Sequence, residues 1–110
     1  MAAGFCVLLS REKKKLMIKI LKYELPTEGN EIVIEAAIVK WLDVQVQNGN
    51  PVVWALVNLE KEPNKNKIVA WGTGWPVSEE VVTNRTYLGT GQVDGFVWHY
   101  FVKTEYSDKV

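Results

Sequence analysis

Leu42-Asp43-Val44-Gln45-Val46-Gln47-Asn48-Gly49-Asn50-Pro51-Val52-Val53-Trp54-Ala55-Leu56-Val57-Asn58-Leu59 is the stretch that decides the fold. In its first arm Leu42, Val44 and Val46 alternate with Asp43, Gln45 and Gln47, the period of a strand with one wet face. Asn48, Gly49 and Asn50 tolerate positive φ and so reverse the chain. Val52 to Leu59 is then nearly all apolar, which predicts a strand covered on both faces and therefore central in its sheet.

Working outward, the same extended pattern recurs. Ile18 to Leu25 is rich in branched and aromatic residues and stops at Pro26, with a turn over Thr27 to Asn30. Ile32 to Ile34 suits a second strand, while Ala36 to Lys40 reads equally as a brief helical turn or as its continuation. Downstream, Glu60 to Lys67 is a polar connection and Ile68 to Trp71 a strand. A polar segment with a short turn covers Val77 to Arg85. Tyr87 to Val93 and Phe96 to Lys103 pair across Asp94-Gly95, a type I′ hairpin signal. In the last strand Phe96, Trp98, Tyr100 and Val102 share one face and Val97, His99 and Phe101 the other, so it too is interior. The expected class is all-β and mostly antiparallel: a small β-sandwich or partly open barrel of six or seven strands with little helix.

Bulk properties narrow the function classes. The 110 residues suffice for one domain. Thirteen basic and thirteen acidic residues balance, which argues against general nucleic-acid binding, since that needs a basic surface to displace counterions. The single cysteine allows no internal disulfide, no Cys/His grouping has zinc spacing, and no motif calls for a cofactor. The longest apolar run is far short of a membrane span. A reducing bacterial cytoplasm is the expected location.

Residues 1–16 differ from the rest. An apolar patch, Phe5 to Leu9, precedes the charged run Arg11 to Lys15, the reverse of the order in a secretory signal. Arg11-Glu12 can be encoded by a purine-rich AGG-GAG resembling a ribosome-binding site just upstream of Met17. We therefore expect 1–16 to be a non-native or disordered extension and 17–110 a single β domain. The extension holds four basic residues and one acidic residue, so without it the domain is mildly acidic, at net −3.

Candidate chemistry is sparse. His99 is the only histidine and lies within an apolar strand, where a satisfied core histidine is the commoner role. Paired-carboxylate and metal-cluster motifs are absent, so no catalytic or metal-binding residue is assigned. Gly72-Thr73-Gly74-Trp75-Pro76 is the most unusual segment. Its glycines permit close backbone approach and amide presentation to an anion, although it lacks the lysine and helix of a P-loop, and a bulged strand end closed by Pro76 explains it equally. Five tryptophans mean dense packing or a stacking surface. The ligand-binding candidates are Gln45, Gln47, Trp54, Trp71, Gly72, Thr73, Gly74, Trp75 and His99. Exposure of Trp54, Trp71 or Trp75 beside the two glutamines would favour a binding role.

Several of these segments occur together elsewhere. Lys22-Tyr23-Glu24-Leu25-Pro26, Val44-Gln45-Val46-Gln47-Asn48-Gly49-Asn50-Pro51, Trp54-Ala55-Leu56-Val57, Gly72-Thr73-Gly74-Trp75-Pro76, Gly89-Thr90-Gly91-Gln92 and Val97-Trp98-His99-Tyr100-Phe101 form the set. The chain from Met17 to Val102 thereby resembles a family of small phage and prophage proteins classed as a domain of unknown function. Where that family has His in Gly-Thr-Gly-x-Pro, this sequence has Trp75, which takes a ligating or catalytic role away from that position. The family's start near Lys-Tyr agrees with Met17 as the beginning. The resemblance implies a phage context and no particular activity.

The leading expectation is a non-enzymatic phage accessory protein that binds a partner in the host cell. It would inhibit antiviral defence by sequestering a small nucleotide-like signal or by capping a host protein, with homo-oligomers providing a shared pocket. The alternative is a virion or assembly module.

Overall fold

The computed structural model describes residues 17–106; the expected N-terminal extension lies outside them. Seven strands and one short helix follow in the order β1 (Ile18–Glu24), β2 (Glu31–Ala36), β3 (Ile38–Gln47), β4 (Asn50–Asn58), β5 (Asn64–Gly72), α1 (Glu79–Asn84), β6 (Thr86–Val93) and β7 (Phe96–Glu105). They form two antiparallel sheets, β1-β4-β3 and β2-β5-β7-β6. The sheets face each other as a sandwich, without closing into a barrel. As the apolar patterns require, β4 and β7 are interior strands.

Alternation along each strand builds the core. Val53, Ala55 and Val57 of β4 face Ile68 and Ala70 of β5 and Trp98, Tyr100 and Val102 of β7, with Ile34, Ala36 and Val44 completing the cluster. Both reversals that the sequence marks are present: Asn48-Gly49 and Asp94-Gly95 have positive φ at both residues, as type I′ turns require.

The structure decides one reading that the sequence left open and corrects three others. Ala36 to Lys40 is extended, not helical: the chain leaves one sheet after Ala36, enters the other at Ile38, and the Ala37 carbonyl accepts from the Asn58 N–H at 2.9 Å. The alternation beginning at Leu42 is broken, because bulges expel Val39 and Leu42 from the ladder and leave both side chains exposed. The Glu60–Lys67 loop is shorter than its polarity suggests, since β5 starts at Asn64 with Lys65 and Lys67 on the outer face. Finally, His99 is not in the core. Trp98, Tyr100 and Val102 of β7 fill the interior, so His99 between them points outward and is half-buried.

Two features fix how the sheets meet. A Cβ built on Gly89 of β6 would lie 2.9 Å from Val44 Cγ2 of β3, so glycine is what lets these two strands approach. The β5–β6 connection crosses β7, and α1 buries Val81 there. Ser78 caps the helix by accepting from the Val81 N–H. Arg85 ties the crossover down, donating to Glu31 Oε2 at 3.1 Å and to the Lys67 carbonyl at 3.3 Å.

Tyr100 is fully buried, and its hydroxyl has no hydrogen-bond partner among the described residues. Burial pushes its pKa up to about 12 from 10.0. The folded state thus keeps this proton while the unfolded chain loses it. The stability is fully present below pH 10 and declines as pH rises towards 12, by about 3 kcal/mol in all. Tyr100→Phe removes the unpaired hydroxyl. Urea titrations should show stability at pH 7 unchanged or raised by up to about 1 kcal/mol, and a shallower loss at pH 11.

Candidate functional site

Six of the nine sequence-flagged residues gather at one end and on the adjoining outer face of the four-stranded sheet. β5 delivers Trp71 and ends at Gly72, after which Gly72-Thr73-Gly74-Trp75 makes a tight turn. The Trp75 N–H donates to the Gly72 carbonyl at 3.1 Å, with Gly74 at φ +89°. Glycine is required at that position of a type II turn. The Thr73 N–H donates to the Val97 carbonyl at 3.3 Å. Two amides of the loop, those of Thr73 and Trp75, are therefore engaged internally.

The turn folds Trp75 back over the end of the sandwich. A Cβ on Gly72 would lie 2.6 Å from its indole, and one on Gly29 would lie 3.3 Å away, so both glycines serve as its seat. Trp75 stands at 80° to Trp98 with ring centroids 5.4 Å apart, and at 64° to Trp71 at 6.3 Å. The Trp71 indole N–H donates to the Pro76 carbonyl at 2.9 Å, fixing the far side of the loop. Phe96 adds a third wall, 6.1 Å from Trp98.

Trp75, Phe96 and Trp98 line a cleft of about 320 Å³ together with Thr27, Glu28 and Asp94. Trp98 is only 6% exposed, whereas Trp75 is 44% and Phe96 65% exposed. Large rings left this open at a concave site are the usual mark of a binding surface. The neighbouring depression, about 380 Å³, shares Trp75, Phe96 and Trp98 and adds Gly72 and Thr73. Glu28 holds φ +61°, an uncommon conformation for a residue of its type.

His99 lies beside this end, paired across strands with Trp71 and Thr90. Its Nε2 is 2.6 Å from Thr73 Oγ1, and its Nδ1 is 3.2 Å from the Tyr87 hydroxyl and 3.3 Å from Thr90 Oγ1. Tyr87 and Thr90 also hydrogen-bond to each other. Three hydroxyls thus satisfy the imidazole, and none of these partners is a carboxylate that would orient it as a general base. Among the described residues, no group of three or more His, Cys, Asp or Glu could hold a metal ion.

Gln45, Gln47 and Trp54 lie elsewhere, on the outer face of the three-stranded sheet. Gln45 donates to Asp43 Oδ2 at 3.1 Å, Gln47 accepts from Lys22 Nζ at 3.1 Å, and Trp54 pairs between Lys22 and Asp43. Trp54 is half-buried beside the two glutamines, but Trp71 and Trp75 belong to the other sheet, so the nine residues make two surfaces. Sequence reasoning missed Glu28, Asp94, Phe96 and Trp98. Asp94-Gly95 and Glu28-Gly29 carry only turn signals, and no sequence spacing brings two turns together.

At the opposite end of β5 and β7 is a wider groove of about 650 Å³ that includes Lys40, Trp41 and Asn66. Its buried amide, Asn66, is fully engaged with protein groups. No helix among the described residues is long and apolar enough to cross a membrane. Comparison with curated proteins and with solved structures returned no match. Residues 17–109 match the model of a domain of unknown function, DUF7352, and the chain belongs to that family.

Proposed function

We propose that this domain is a binding module that performs no chemistry and engages its partner with the aromatic end of the sandwich. The observation that carries this reading is the exposure of Trp75 and Phe96 over Trp98 in a preformed cleft. Covering such rings is favourable by roughly 25 cal/mol per Å² of apolar surface, and indoles held by neighbouring rings lose little further freedom on binding. The likeness of the motif set to small phage proteins supports a host protein in the bacterial cytoplasm as the partner, with interference in antiviral defence as the consequence. Between capping a protein and sequestering a nucleotide, the cleft favours capping: carboxylates, not cations, line it, and the Thr73 and Trp75 amides of the turn are already engaged. A second reading, a virion or assembly module, draws on edge strand β1, where Ile18 and Ile20 are exposed along an unpaired backbone edge.

Native mass spectrometry of protein purified from bacteria separates these readings. The binding reading expects a stoichiometric partner mass on the wild type that is absent from Trp75→Ala, with circular dichroism unchanged. A partner retained equally by both proteins overturns it. Homo-oligomers without added mass, abolished by Ile20→Lys, favour the assembly module instead.

A further inference from the structure

The aromatic cleft holds a charge arrangement that narrows its occupant, granted the binding role proposed above. Of its lining residues, Glu28 and Asp94 are acidic, and neither Lys, Arg nor His contributes. The salt bridges between described residues are Lys67–Glu105, Arg85–Glu31, Arg85–Glu80 and Lys103–Glu80. Glu28 and Asp94 take part in none of them. Two carboxylates without a countercharge thus flank a corner of indoles set at 80°.

We infer that the cleft receives an arginine or lysine side chain of a partner polypeptide. A cation held against an aromatic face is attracted by the ring quadrupole, and the open rings here are those of Trp75 and Phe96. The carboxylates add charge complementarity from the two turns that bracket the opening. A nucleotide phosphate would meet two negative charges here, and a purely aliphatic side chain would leave both carboxylates unanswered.

The test uses the full chain, labelled with ¹⁵N, and follows the tryptophan indole N–H resonances. The probes are the blocked peptide Gly-Gly-Arg-Gly-Gly, its norleucine and glutamate counterparts, and AMP. The arginine peptide should shift the Trp75 and Trp98 signals and bind about tenfold more tightly than the norleucine peptide. Glu28→Asn combined with Asp94→Asn should weaken that binding about tenfold, and added salt should weaken it in the same direction. Asparagine is chosen because both positions have positive φ, which it tolerates. Equal binding of the norleucine peptide, or preferential binding of AMP, overturns the cation assignment and leaves the aromatic end as a binding surface. No shift with any probe also overturns it. The binding role itself fails on a different readout, a native partner retained by Trp75→Ala.

Discussion

Asn66→Asp should lower the free energy of unfolding at pH 7 by about 4 kcal/mol, most of the stability of many domains this size. Asn66 is 1% exposed in β5 and is the only polar residue among the buried described ones. Its Nδ2 donates to the carbonyls of Ile34 at 2.9 Å, Ala36 at 3.1 Å and Asn64 at 3.3 Å. Its Oδ1 accepts from Thr104 Oγ1 at 2.8 Å. These carbonyls belong to the place where the chain passes from one sheet to the other, so the amide holds the sheet switch. An aspartate there sets a carboxylate oxygen against three carbonyl oxygens in a desolvated site. Its pKa must rise, because the charged form has lost both water and donors. The sign follows: the variant keeps more of its stability at low pH and loses it as pH rises. Urea midpoints at pH 4 and pH 7 should differ in that order. Thr104→Val, which removes one of the four bonds, should cost only about 1 kcal/mol. A cost for Asn66→Asp below about 1 kcal/mol at pH 7 would contradict the assignment of this amide as the tie.

Gly89→Val should cost about 3 kcal/mol, at the upper end for overpacking, and the loss should be relieved by Val44→Ala. The added Cβ would come within 2.9 Å of Val44 Cγ2 and 3.0 Å of Val44 Cβ, and neither atom is the free end of a flexible chain. β6 would have to withdraw from β3, opening the contact that joins the two sheets on that side. Val44→Ala alone leaves a small void, costing about 1–2 kcal/mol. In the double variant the new methyl groups enter that void, so its loss should fall short of the sum of the single losses by about 2 kcal/mol. Thermal or urea unfolding of the four proteins reads this coupling. Strict additivity would show that the strands do not depend on this approach.

The two cases show where sequence reading succeeds on this chain and where it stops. Alternation and turn residues determined the all-β class, the Asn48-Gly49 and Asp94-Gly95 reversals, and the interior places of β4 and β7. Each is a local property: a side-chain period of two, a backbone that needs positive φ, or an apolar strand that needs cover on both faces. The same locality explains the errors. Asn66 lies in a polar run and reads as loop until Ile34, Ala36 and Thr104 surround it. Leu42 reads as inward until a bulge shifts its register. His99 reads as core because both faces of β7 are apolar, and only the packing of the sheets decides which face is inside.

The candidate site divides in the same way. Gly72-Thr73-Gly74-Trp75-Pro76 stood out in the sequence by composition, and the structure places it at the centre of the aromatic end. Glu28, Asp94, Phe96 and Trp98 did not stand out, although they complete the cleft. The sequence by itself determined strands, turns and class, because those follow from the chemistry of neighbouring residues. Only the tertiary structure decided the sheet order, the face that His99 presents and the acidic, aromatic character of the cleft. Those properties arise from residues tens of positions apart, brought together when burial of one shared core fixes the register of both sheets.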